Sequence, residues 1–224
     1  MAEDNKNEIV EEVVEKNEIA VQGNATALSY TDTGAMQKLY KMAATMAKSD
    51  FLPDAYKGRP ENVMLAMDMA SRMGMGFMTV CQNLYIVKGK PSWSGQFCVA
   101  AIKGCGRYDD VEFVWVGDEG TENFGCYMQA REIKTGKIVK GSVVDWKMVK
   151  AEGWLSKNGS KWATMPEQMF KYRAAAFFAR TECPEVLMGL QTVDEVKDVH
   201  GYEDDKKKTV VINLNDLSEV EVVE

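Results

Sequence analysis

From residue 36 onward the apolar positions fall at helical spacing. Met36, Leu39, Tyr40, Ala43, Met46 and Ala47 follow an i, i+3, i+4 pattern, which predicts a helix with one apolar stripe in folded sequence that begins near Thr31. Ser49-Asp50-Phe51-Leu52-Pro53 ends it. A second helix is predicted from Pro60, because proline suits the first helical turn. Its stripe is Val63, Ala66, Met67, Ala70 and Met73, and Gly74 and Gly76 stop it. The pattern then shortens. Leu84-Tyr85-Ile86-Val87 reads as a strand, Lys88-Gly89-Lys90-Pro91 as a turn, with Ser92-Trp93 beyond it. Residues 94–103 read as a helix that closes at Gly104, and residues 111–116 as a strand. Phe124, Cys126, Met128 and Ala130 alternate with Gly125, Tyr127, Gln129 and Arg131, the mark of a half-buried strand. Thr135-Gly136 turns that strand back into residues 138–144, so a hairpin is expected. Asp145 caps a short helix to about Lys150, ended by Gly153. Residues 157–161 form a loop, and Pro166 opens a long helix that runs to Cys183-Pro184.

This order of elements predicts an α+β fold in which helices pack against a small antiparallel sheet. A core over residues 31–190 is flanked by an acidic N-terminal leader, 1–30, and an acidic C-terminal tail, 191–224. In the leader, residues 8–15 suit either a short amphipathic helix or a disordered acidic stretch. In the tail, Thr209-Val210-Val211-Ile212-Asn213-Leu214 is an apolar island: a contact for the core, a neighbouring subunit or a partner, or an incidental strand.

Charge sharpens this division. A net charge of −7 taken whole opposes nucleic-acid binding, but it is unevenly placed. Residues 1–30 carry two Lys/Arg and seven Asp/Glu, residues 191–224 four and ten, and residues 31–190 twenty-one and seventeen. The acidity sits in the ends, and the middle is mildly basic, which permits a DNA surface. The 224 residues, 46% hydrophobic, support one sizeable core or at most two small domains. No apolar run of about 18 residues offers a membrane-spanning helix, and the acidic start is unlike a secretory signal, so a soluble intracellular protein is expected.

Several chemistries lack their parts. The five cysteines form no CxxC pair and the single histidine, His200, lies in the tail, which argues against a zinc finger and against histidine-based nucleophilic catalysis. No P-loop motif occurs, and Gly74-Met75-Gly76 lacks the third glycine of a dinucleotide site. Asp109-Asp110 and Asp118-Glu119 read as solvated strand ends rather than a two-metal site. A binding protein is expected, with no cofactor and no metal.

Three segments mix basic, aromatic and small polar residues, as single-stranded nucleic acid requires: cations for phosphates, aromatic faces for bases. The first runs from Gln82 to Trp93 and includes Tyr85, Lys88 and Lys90. The second holds Trp146, Lys147, Lys150, Trp154, Lys157, Lys161 and Trp162. The third is Lys171-Tyr172-Arg173 with Arg180. At 3.6 residues per turn Arg173 and Arg180 share a helix face and Lys171 points the other way, so the two arginines are expected to line one groove. Ala174-Ala175-Ala176 allows close approach, by a ligand or by a packed sheet.

At these residues the sequence resembles the RecT family of phage single-strand annealing proteins. The similar blocks are residues 73–92, residues 94–102 with Gly106-Arg107-Tyr108, and the stretch from Trp162 through Met165-Pro166-Glu167-Gln168-Met169-Phe170-Lys171-Tyr172-Arg173-Ala174. The resemblance covers roughly residues 35–190. It implies a RecT/Bet-like α+β core, assembly into rings or helical filaments, and ATP-independent annealing of complementary strands in homologous recombination. Carried over by position, the DNA groove uses Lys88, Lys90, Arg107, Lys147, Lys161, Lys171 and Arg173. Arg180 joins them by helix geometry, and Tyr85, Trp93, Trp162 and Tyr172 are the candidate base-supporting aromatics. The implied setting is the cytoplasm of a bacterial host carrying the phage or prophage. The implied partners are single-stranded DNA, the annealed duplex, further copies of the chain, and a phage exonuclease or host single-strand binding protein. Two other readings remain open: a strand-protecting protein that does not anneal, and a structural or regulatory phage protein.

Overall fold

The computed structural model describes residues 32–200. The leader helix and the apolar island expected above lie outside the described residues.

Helix α1, Thr33–Met46, begins where the Asp32 side chain accepts the Ala35 N–H at 3.0 Å. Helix α2, Pro60–Met73, ends on Gly74, whose φ of 61° is the left-handed conformation glycine adopts freely. The two helices place small side chains, Ala43, Ala66 and Ala70, in the core. Helix α3, Phe77–Asn83, follows directly and was not predicted from the glycine-rich sequence before it. It is too short to show a stripe: only Val80 and Cys81 are buried.

Strands β1, Leu84–Val87, and β2, Lys90–Trp93, form a hairpin in which Val87 faces Lys90. The two turn residues between them, Lys88 and Gly89, both have positive φ, 50° and 76°, as a type I′ turn demands. Ser94 then caps α4, Gly95–Gly104, by accepting the Phe97 N–H at 2.9 Å.

An antiparallel sheet follows: β3, Tyr108–Val116, pairs with β4, Gly125–Glu132, which pairs with both β5, Ile138–Lys140, and β6, Val144–Asp145. β3 starts three residues earlier than predicted, and a register shift between Asp109 and Glu112 accommodates Asp110 at φ 48°. The single strand expected over residues 138–144 is two short ones. Gly141 stands between them, where a Cβ would lie 3.1 Å from Phe178 Cβ.

Asp145 caps α5, Trp146–Ala151, as expected, accepting the Met148 N–H at 2.7 Å. Helix α6, Pro166–Glu182, packs on α4 and β4 and separates two apolar clusters. Ala175, Phe178 and Ala179 join Trp93, Phe97, Ile102 and Met128 on one side. Met169, Phe170 and Ala174 join Val149, Trp154 and Trp162 on the other.

After a 3-10 turn, Pro184–Leu187, the chain forms helix α7, Val193–His200. The Trp93 N–H donates to the Gln191 carbonyl at 2.9 Å, Trp93 bridges Thr192, and Val196 is buried. The packed body therefore extends past residue 190, where the sequence placed its end. The residues of α7 escaped notice because five of its eight are polar and their partners lie elsewhere in the chain. Among the described residues no helix is long and apolar enough to cross a membrane.

Candidate nucleic-acid interface

The outer face of α4 lies between two hollows that meet at Gln96 and Ala100. The first, about 870 Å³, opens between α4 and the start of α6. Val99, Phe113 and Pro166 give it apolar walls, and Lys103, Lys171 and Tyr172 stand at its sides. The second, about 800 Å³, reaches from α4 to the end of α2 and the 3-10 turn. Met73, Met75, Phe97 and Met188 line it, with Arg72 and Arg107 among its polar residues. The two hollows flank α4 and are together called the trough; apolar walls, four cations and the carboxylates of Glu167 and Glu185 line it.

Gly95 sets the first hollow's shape. A Cβ there would lie 2.6 Å from the Tyr172 ring, so α4 and α6 approach closely only because residue 95 has no side chain. Tyr172 Oη in turn accepts from Gln168 Nε2 at 2.6 Å, which fixes the ring at the trough wall. Lys171 Nζ is 2.5 Å from Glu167 Oε1, and both remain partly in solvent. Lys103 is exposed and makes no ion pair among the described residues. In the second hollow Arg72 Nε is 2.8 Å from Asp68 Oδ2, while Arg107 bonds Glu132 and Glu185, each at 3.1 Å. The hydrogen bonds from Thr135 and then Arg107 hold the Glu132 carboxyl below the usual carboxylate range. Burial pushes the Cys98 thiol upward, as the inner face of α4 requires of a residue with no exposed surface.

Of the expected DNA-binding residues, Lys171, Tyr172 and Arg107 belong to this trough. Lys90 and Arg180 border a separate cleft of about 470 Å³. Lys88 and Tyr85 are exposed on the β1–β2 hairpin, Lys147 on α5, and Lys161 in the loop before α6. Arg173 requires correction. It is 5% exposed, ion-paired with Asp198, and its guanidinium carbon lies 4.1 Å from the centre of the Trp154 ring. Trp93 and Trp162 also require it, since both are fully buried. Trp93 stacks on Phe97 at 4.2 Å and donates to the Leu187 carbonyl at 3.1 Å, and Trp162 stacks on Trp154 at 5.5 Å. A tryptophan beside lysines looks the same in sequence whether its ring faces solvent or core.

Arg173 and Arg180 lie opposite Lys171 on α6, as helical spacing predicts, and the first hollow is on the Lys171 side. Arg173 is buried against α7, whereas Arg180 stays half-exposed beside the smaller cleft. None of the cavities described above is lined by Lys88, Lys161 or Arg173. Sequence reasoning passed over Lys103 and Arg72. The signal for Lys103 was present, since it lies seven positions after Gln96 on the face of α4 opposite the buried Phe97, Cys98 and Ala101. Among the described residues no group of His, Cys, Asp and Glu is arranged to hold a metal ion. No protein-family model, no curated protein and no solved structure matches the chain.

Proposed function

We propose that this chain binds single-stranded DNA and anneals complementary strands without ATP, as an annealing protein of the RecT kind with a RecT-like core. The observation that carries the proposal is the trough across α4, which combines Arg72, Lys103, Arg107 and Lys171 with apolar walls and Tyr172. Cations beside an apolar wall suit a flexible polyanion whose bases have faces to bury. The sequence resemblance over residues 73–108 and 162–174 supplies the annealing step, because those segments form the same trough: the end of α2, α3, α4 and the start of α6.

In this reading the trough cations neutralise the phosphates of one strand, and counterion release supplies much of the affinity. A second strand then samples register with its charge repulsion reduced. Matched pairing supplies the driving force, on the order of 1.4 kcal/mol of stacking per base-pair step, so no ATP is needed. Successive copies in a ring or filament extend the trough. A phage exonuclease or host single-strand binding protein is the proposed partner, in the cytoplasm of a bacterial host.

The test uses two complementary fluorescent oligonucleotides, and a mismatched pair, in magnesium-containing buffer without ATP. The expected result is faster pairing of the complementary strands, with affinity falling steeply with salt. Replacing both Lys103 and Lys171 by alanine should flatten the salt dependence by about 1.4 in log–log slope. Binding without accelerated pairing would favour the strand-protection reading, and no salt-dependent binding would favour a structural role.

A further inference from the structure

Helix α6 carries cations on two opposite faces. Lys171 and Arg180 are nine positions apart, about 900° of rotation, which puts them on opposite sides. Lys171 borders the trough, whereas Arg173 and Arg180 meet α7. Arg180 is ion-paired with Glu195, Arg173 with Asp198, and Arg173 Nη1 also lies 3.9 Å from Glu195 Oε1. Both carboxylates are buried. Glu195 additionally accepts the Thr192 N–H at 2.8 Å, and Asp198 accepts from Trp162 Nε1 at 3.4 Å.

α7 has little apolar surface with which to hold this position. Val196 is buried, Val193 is half-buried and Val199 is exposed. Its attachment therefore depends on the ion pairs. Arg180 is not enclosed by its pair: 51% of its side chain remains in solvent. Its open side faces a cleft bordered by Lys90 on the β1–β2 hairpin and by Gly189 and Leu190. A guanidinium that holds a carboxylate at one edge, with a lysine across an open cleft, is placed to exchange that carboxylate for phosphate oxygens of similar geometry.

We infer that the Lys90–Arg180 cleft is a second phosphate-binding site and that α7 is an acidic latch over it. Glu195 holds Arg180 while the cleft is empty, and phosphate oxygens replace Glu195 when it fills. One of the contacts that keep α7 seated is the contact the ligand must replace, so binding at the cleft and loosening of α7 are coupled in both directions. The inference rests on the nucleic-acid reading above, with the cleft as a site distinct from the trough.

Amide hydrogen exchange over residues 193–199 of the full chain tests it, alone, with a single-stranded oligonucleotide and with inorganic phosphate. Fluorescence anisotropy measures oligonucleotide binding in parallel. Saturating oligonucleotide should raise α7 exchange by about fivefold or more. A response to oligonucleotide alone assigns the site to polynucleotide phosphate, and an equal response to inorganic phosphate assigns it to free phosphate. Oligonucleotide binding with unchanged α7 exchange overturns the latch and leaves the trough standing. Absence of oligonucleotide binding overturns the nucleic-acid reading itself. As a second measurement, Glu195→Gln should tighten oligonucleotide binding by about fivefold or more, and adding Arg180→Ala should remove that gain. Unchanged affinity in Glu195→Gln overturns the latch.

Discussion

A guanidinium withdrawn from water needs its charge answered close by, and Arg173 has that answer in Asp198 and in the Trp154 ring. Its role is therefore to hold α6, α7 and the tryptophan cluster together. Arg173→Ala leaves the buried Asp198 carboxylate without this partner and is expected to cost about 3–5 kcal/mol of stability. Lys171, two positions away, is its counterpart in solvent. Lys171→Ala breaks only a partly exposed pair with Glu167, so stability should change by less than about 1 kcal/mol, while affinity for a single-stranded oligonucleotide falls. Denaturant melts and anisotropy on the two variants check both statements. An Arg173→Ala chain as stable as the parent would contradict the first, and undiminished binding by Lys171→Ala the second. Helical periodicity put these two residues on opposite faces from sequence alone. It could not say which face is inside, because that depends on carboxylates more than twenty residues further along.

The elements that the sequence made legible are those with a local signal. Gly74 ends α2, Asp145 caps α5, and Pro166 opens α6, each through chemistry confined to its own turn. The α+β class and the antiparallel β4–β5 hairpin followed from spacing in the same way. The elements that were missed depend on distant contacts: α3 is too short to show a period, β5 and β6 are parted where Gly141 meets Phe178, and α7 is seated by Arg173, Arg180 and Trp162. The candidate site follows the same division. Lys171 and Tyr172 were named from sequence, but the close approach that turns them into a trough wall depends on Gly95 meeting a residue seventy-seven positions away. Gly95→Ala tests that approach. Its new methyl group meets the inner atoms of Tyr172, Cβ and Cγ included, which a side-chain rotation cannot move far. The variant should lose about 1–3 kcal/mol and weaken oligonucleotide binding as α4 and α6 separate. Unchanged stability and affinity would show that this contact does not shape the trough.

At the scale of the whole chain, the charge balance changes sign with the segment considered. The full sequence carries −7, whereas residues 32–200, with 22 Lys/Arg against 20 Asp/Glu, carry +2. The ends therefore hold −9 on about a quarter of the chain, joined to a body whose trough and cleft are both cationic. Tethered carboxylates raise the local anion concentration near those cations, and a nucleic-acid strand must compete with them. Removing residues 1–31 and 201–224 while keeping α7 whole should thus tighten single-stranded DNA binding at low salt. The gain should shrink as salt rises, because exposed charges are screened beyond about 10 Å at 0.1 M ionic strength. The cut must fall after His200, since a cut at residue 190 would also remove Glu195 and Asp198 and with them the two ion pairs of Arg173. Titrating both chains with the same oligonucleotide across a salt series separates the outcomes. Equal affinity at low salt would mean that the acidic ends stay clear of the DNA surface, and a gain that persists at high salt would point to a steric block instead of a charge-based one.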